Sequence, residues 1–341
     1  MSRAVHKIAI GAVTVAALVA TLLSYNAFAG NSVNAKNAHA MPPWEKGGAS
    51  SENVFEKMAS SIDNLSPQKI TLTDDTNNSI VKNPAKLKSK LHSPNAILVS
   101  LDDRKILMDK NADKKIYPAS MTKIMTAILA IEKSPNLQEK VTLPKPIFDK
   151  MYAQEASMAG FVPNEQVSEM DLLYGAVLPS GAECCAGLAD HLEGSEQNFA
   201  YEMNRKAAEI GMEHTHFVNT TGLYDANHYS TVKDISMILC YALQNNTFRR
   251  IFTTPNYTTS PTNKHAKGIT FTSTMFRHLN GSKKAGRATI LGGKVGYTDE
   301  AGLCLASCAE VNGKQYVLVT AGAKNCYCAE IKDAVAVYSS L

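Results

Sequence analysis

The sequence predicts an α+β domain: a β-hairpin, a mainly helical block, three strands and a closing helix. Three observations predict it. An apolar run of strand length, "NAILVS" (Asn95–Ser100), and "KILMDK" (Lys105–Lys110), which alternates enough to be its hairpin partner, flank the turn residues "LDDR". From Ser120 to the low 240s, apolar residues recur three and four apart, the helical period. From Gly292 onward, β-branched and alternating residues return. Strands and helices grouped in separate runs indicate α+β rather than alternating α/β order.

The N-terminus reads as a targeting segment. Arg3 and Lys7 precede an uncharged apolar run over residues 8–23, and "AFA" at 27–29 supplies small residues for a signal peptidase. Residues 1–29 are therefore expected to be a signal peptide or, uncleaved, an N-terminal membrane anchor, although the run is short for a spanning helix. Residues 30–91, rich in Asn, Ser, Lys and Asp, are expected to form a flexible polar tether. Residues 92–341 remain for the folded domain.

Within the helical block, "EMDLLYGAVL", "AECCAGLADHL", "YEMNRKAAEIG" and "STVKDISMILCYAL" carry the helical period, and Gly211 stands where a C-cap belongs. "IMTAILAI" is apolar nearly all round, which predicts a helix buried at the domain centre. "GGKVGYT", "GLCLASCAEV" and "KQYVLVTAGA" supply the last strands, with Asn312-Gly313 as a hairpin turn. "CAEIKDAVAVYSSL" closes the chain as a helix.

Composition narrows the function classes. A 45% apolar content is enough to fill a core, and a net charge of +4 without a long basic tract leaves no footprint for nucleic acid. The chain has seven cysteines. The pairs Cys184-Cys185 and Cys326-x-Cys328 are too close for ordinary bridges. No C-x-x-C or H-x-x-x-H accompanies them, so all are expected to be small buried hydrophobes rather than zinc ligands. His214-x-His216 offers two ligands without a third and reads as structural. Asp225, Asn227 and His228 are expected to shape a loop. No metal and no cofactor is expected.

Ser120 and Lys123 form an S-x-x-K at the head of the apolar helix. Residues three apart share a helix face, so a lysine in a buried site can take the serine proton. The tetrapeptide alone is weak, because it recurs at Ser66, Ser79 and Ser230. The first two lie in the expected tether. Ser230, with Asp234 behind it, reads as a helix N-cap.

"PASMTKIMTAILA", "LLYGAVLPSGAECCAGLADHL", "MNRKAAEIGMEHTHFVNTTGL", "NHYSTVKD" and "GGKVGYTDEAGLCLASCAE" together resemble the serine-type D-alanyl-D-alanine carboxypeptidases, the low-molecular-mass penicillin-binding proteins. The resemblance covers about residues 92–338. Those enzymes carry S-x-x-K, S-x-N and K-T-G in that order; here the motifs fall at Ser120–Lys123, Ser180-Gly181-Ala182 and Lys294-Val295-Gly296. The resemblance implies a central antiparallel sheet flanked by a helical region, with the site between them. It implies Ser120 as nucleophile, Lys123 as base and Ser180 as proton relay. The backbone N–H groups of Ser120 and Tyr297 would form the oxyanion hole, and Lys294, Val295 and Gly296 would bind substrate. The substrate would be a peptidoglycan stem ending in D-Ala–D-Ala, with β-lactams as acylating inhibitors and the membrane reached through the N-terminus. Family members serve wall maturation, sporulation or glycopeptide resistance.

Two positions depart from the pattern. Ala182 replaces an amide and Val295 replaces a hydroxyl, each hydrogen bond to a charged group being worth about 1.5–3 kcal/mol. These departures favour a rival reading, a weakened binder or sensor of penicillin or cell-wall peptide. A β-lactamase reading lacks its E-x-x-L-N segment. Arg277 and Arg287 are both candidates for the substrate carboxylate.

Overall fold

The computed structural model describes residues 69–74, 90–279, 282–324 and 326–341. The expected leader or anchor lies outside them, as does most of the expected tether. Among the described residues no helix is long and apolar enough to cross a membrane.

Thr73–Asp74 (β1), Asn95–Ser100 (β2) and Lys105–Lys110 (β3) open the chain. Lys140–Thr142 (β4) and Gln166–Ser168 (β5) make a short ribbon, as do Asn256–Thr258 (β6) and Thr270–Thr272 (β7). Lys284–Ala285 (β8), Ala288–Thr298 (β9), Gly302–Val311 (β10) and Lys314–Ala323 (β11) return to the main sheet, whose order is β1-β3-β2-β11-β10-β9-β8. Every neighbouring pair is antiparallel except β1–β3, which is parallel. The β2–β3 hairpin and the β10–β11 hairpin match the sequence expectation. At the latter's turn, Asn312 and Gly313 both have positive φ (51° and 78°), as a two-residue hairpin turn of this hand requires.

The helices are Lys123–Lys133 (α1), Lys145–Ala153 (α2), Glu169–Val177 (α3), Ala182–Glu193 (α4), Glu196–Ile210 (α5), Val232–Ala242 (α6), Asn246–Thr253 (α7), Thr274–His278 (α8) and Ala329–Tyr338 (α9). Helix α1 is buried along its whole first two turns, Lys123 to Ala130, because its apolar residues meet α3, α4, α5, α6 and α7 around it. Gly211 caps α5 with φ 96°, a left-handed turn that glycine adopts without a Cβ penalty.

The sheet has two covered faces. Ile97, Val99, Cys304, Ala306 and Val319 point into the larger core under α1 and α3 to α7. Leu98, Leu305 and Leu318 point the other way, onto Met275 and Phe276 of α8 and Val337 and Tyr338 of α9. Burial on both faces explains why β2 reads as an unbroken apolar run.

Three expectations need correction. Residues 69–74, placed in the tether, belong to the fold: Ile70 is 1% exposed, its N–H donates to Ile210 O at 2.9 Å, and β1 extends the sheet. Ser230 is not the cap of α6. Thr231 is, accepting from Asp234 N–H, while Ser230 pairs its backbone with Ile116 and its hydroxyl with Thr215. Finally, five cysteines are buried, but Cys326 and Cys328 are only half-buried.

Candidate active site

Ser120 lies in a single 3-10 turn, Ala119–Thr122, that runs directly into α1. Its Oγ accepts from Lys123 Nζ at 3.0 Å, the contact that a three-residue spacing on one helical face allows. Ser180 arrives from the loop between α3 and α4. Its φ is +73°, a left-handed conformation that costs a non-glycine residue roughly 1–2 kcal/mol. That turn aims Ser180 Oγ at Ser120 Oγ, 3.0 Å away, and at Lys123 Nζ, 3.2 Å away. Lys294 reaches in from β9 and donates to Ser180 Oγ at 2.9 Å. Two lysines and two serines thus share one hydrogen-bonded cluster, drawn from a turn, a helix, a loop and a strand.

Its electrostatics follow from burial. Lys123 and Lys294 are 2% and 0% exposed. Desolvation pushes both ammonium groups below the usual lysine range, and the charge on Lys123 pushes Lys294 down further. Two ammonium groups bonded to one hydroxyl resist being protonated together. A free amine is therefore favoured at this cluster, and the Ser120 proton has two ways to it: directly to Lys123, or through Ser180 to Lys294. Cys185, close enough to both lysines to feel their charge, has its thiol pushed up to about 12 by burial and stays a neutral neighbour.

Glycine keeps the elements close. A Cβ on Gly296 would sit 2.9 Å from Ser120 N and 3.1 Å from Ala119 Cβ, so β9 can lie against the Ser120 turn only without a side chain there. Gly222, with φ +82°, is tighter: a Cβ would fall 1.8 Å from Ala119 O. Two further supports went unread in the sequence. His228 is 2% exposed and bonds Thr122 Oγ1 through Nε2 at 2.8 Å, so it braces the turn as well as shaping a loop. Glu183, next to the second motif, accepts from the N–H groups of Ala159 and Gly160 and fixes the loop beside Ser180. A buried acid one residue past a motif is the signal that could have found it.

The remaining predicted residues are placed as follows. In the β9–β10 register Lys294 is opposite Ala306, Val295 opposite Leu305 and Gly296 opposite Cys304. Cross-strand partners share a face, so Lys294 and Gly296 face the helical block, whereas the Val295 side chain turns to the α8–α9 core. Among the described residues β9 has no strand partner on its other edge beyond Thr289. Tyr297 is 60% exposed, its hydroxyl donating to Asp299. Thr298 accepts from Ala301 N–H, a strand-end role. The Ala182 methyl is buried with Met151 and Ala186. Arg277 is exposed, and Arg287 donates to Leu341 O. His216 Nδ1 bonds Asn227 O, and the N–H of His214 donates to Asp234.

A serine hydroxyl held against a buried lysine amine, on an α+β domain of this layout, is the arrangement that serine–lysine acyl transfer requires. The family profile for D-alanyl-D-alanine carboxypeptidase matches residues 79–325, and the chain belongs to that family. It is 31% identical over 235 residues to D-alanyl-D-alanine carboxypeptidase DacF of Bacillus subtilis, covering 67% of this chain and 57% of that one. It is 33% identical over 218 residues to a Streptomyces D-alanyl-D-alanine carboxypeptidase, covering 62% and 74%. The chain thus spans little more than half the length of the Bacillus relative. Among solved structures, a Streptomyces DD-transpeptidase superposes with a TM-score of 0.66 at 28% identity over 74% of this chain and 97% of that one. A carboxypeptidase from Mycobacterium tuberculosis at 21% identity, TM-score 0.66, shares the fold.

Proposed function

We propose that the protein is a serine D,D-carboxypeptidase that removes the terminal D-alanine from peptidoglycan pentapeptide stems. The observation that carries this reading is the Ser120–Lys123–Ser180–Lys294 cluster, closed by bonds of 2.9 to 3.2 Å. Ser120 Oγ attacks the carbonyl of the D-Ala–D-Ala bond as its proton passes to Lys123. The tetrahedral oxyanion is held by the N–H groups of Ser120 and Tyr297, brought together by the close approach at Gly296. Ser180 returns a proton to the departing amine nitrogen, the C–N bond breaks, and water then hydrolyses the Ser120 ester. Lys294 favours the substrate carboxylate, while Val295 and Gly296 offer backbone from the open edge of β9, where an extended peptide can pair. β-Lactams acylate the same hydroxyl. Substrate of this kind places the protein outside the cytoplasm, reached as a secreted or N-terminally anchored chain.

A second reading, a penicillin or wall-peptide sensor, draws on one observation: Ala182 gives Lys123 no amide partner. Intact-mass spectrometry with benzylpenicillin tests the site, with an adduct expected on Ser120. An unmodified chain, or label on Ser230, overturns the assignment. Release of D-alanine from a pentapeptide separates enzyme from sensor.

A further inference from the structure

Away from the serine–lysine cluster, the end of α8 meets the start of α9. His278, the last residue of α8, comes within reach of Cys328 and Glu330, so that an imidazole nitrogen, a thiol sulfur and a carboxylate oxygen all lie within 4.8 Å of one another. Glu330 is 1% exposed. Among the described residues, neither Glu330 Oε2 nor His278 Nδ1 has a hydrogen-bond partner. A buried carboxylate oxygen and a buried ring nitrogen without partners are costly. A metal cation held between the two side chains would accept a lone pair from each.

The spacing indicates what that occupant is. His278 Nδ1 and Glu330 Oε1 are 3.4 Å apart, long for a hydrogen bond. It matches the edge of a tetrahedron with zinc–nitrogen and zinc–oxygen bonds of about 2.1 Å, which works out at about 3.4 Å. Cys328 holds φ +51° just before α9, a left-handed conformation of the kind that persists where surrounding structure enforces it. Nitrogen, sulfur and oxygen donors together suit zinc, whereas magnesium and calcium take oxygen alone.

We propose that His278, Cys328 and Glu330 form a zinc site, with a fourth position open to water. Binding releases the Cys328 thiol proton, so the ion is held by thiolate, carboxylate and neutral imidazole. Cys326 lies two residues before Cys328, but its sulfur is engaged by Lys332 Nζ at 3.2 Å, outside the trio. The ion ties α8 to α9 across 50 residues of sequence, too far apart for a local ligand motif. Helix α8 backs the active strand: a Cβ on Gly293 would strike Met275 Sδ at 2.0 Å, one residue before Lys294. Zinc would thus stabilise the face of the sheet that supports the catalytic lysine.

Titration of the metal-stripped full chain with cobalt(II) tests the site, because a cobalt–thiolate bond gives a charge-transfer band in the near ultraviolet. A stoichiometric band is expected, together with a rise in Tm on adding zinc. Cys328→Ser should abolish the band, His278→Gln and Glu330→Gln should each weaken binding more than about tenfold, and Cys326→Ser should leave it in place. Denaturant midpoints without metal confirm that each variant is folded. No stoichiometric band from the folded wild-type chain overturns the proposal. So does a band that survives Cys328→Ser or disappears with Cys326→Ser.

Discussion

His228 Nε2 and Thr122 Oγ1 lie 2.8 Å apart beneath the turn that presents Ser120. The N–H of Val218 donates to the other ring nitrogen, Nδ1, which assigns the proton to Nε2 and makes Thr122 the acceptor. A neutral imidazole therefore ties Thr122, at the end of the Ser120 turn, to the backbone N–H of Val218.

Burial lowers the His228 pKa from 6.5 to about 4. Above pH 6.5 the ring is neutral folded and unfolded, and stability is complete. Between pH 6.5 and 4 the unfolded chain takes up a proton that the folded chain refuses, so stability falls with pH, by at most about 3 kcal/mol. Below about 4 this contribution is flat. Urea midpoints across that window should fall more steeply for wild type than for His228→Gln, whose amide can keep both hydrogen bonds. Equal slopes would remove His228 from the account.

Gly222→Ala should damage acylation more than stability. A Cβ there meets Ala119 O at 1.8 Å on a residue with φ +82°, so the nucleophile turn must move. Displacing a reacting group by about 1 Å costs on the order of a hundredfold in rate. Stopped-flow acylation by a chromogenic β-lactam reads this directly, and a rate within threefold of wild type would show that the turn can yield without moving Ser120.

Val295→Thr separates side chain from backbone. Because Val295 pairs with Leu305 and turns to the α8–α9 core, a hydroxyl there gains no carboxylate and costs about 1–3 kcal/mol if unpaired. Little change is expected in KM for a D-Ala–D-Ala peptide, with a lower denaturant midpoint. A tenfold fall in KM, absent for the amidated peptide, would instead place the side chain at the substrate carboxylate.

Ile70→Ala tests the segment that composition assigned to the tether. Removing a side chain 1% exposed should destabilise the domain by about 2–5 kcal/mol, with the acylation rate per folded molecule unchanged. An unaltered midpoint would mean that residues 69–74 contribute nothing to the fold.

What was legible in the sequence were features carried by long periodic runs or by short-range spacing. The hairpin strands β2, β3, β10 and β11 and helices α1, α3, α4, α5 and α6 have enough residues to show their period, and Ser120 and Lys123 meet through local geometry alone. Strands of two or three residues, such as β1 and β4 to β7, are shorter than one full alternation. Their pairing depends on chain segments far away. The orientation of Val295 depended on strand register, and His228 on a fold that carries a loop residue back under α1. Ile70 and Leu72 alternate within a polar stretch, and two apolar residues are too few to establish a period.

Five buried thiols set a race during folding. In the unfolded chain Cys184, Cys185, Cys240, Cys304 and Cys308 are all open to oxidants, and two are adjacent. Once packed, Cys185, Cys240, Cys304 and Cys308 are held at about 12 instead of 9.0. Since only the thiolate reacts, each loses about a thousandfold in reactive population at any pH below both values. A chain that collapses before it is oxidised keeps its sulfurs out of disulfide chemistry, whereas a slow one can be caught cross-linked in an arrangement the native core has no room for.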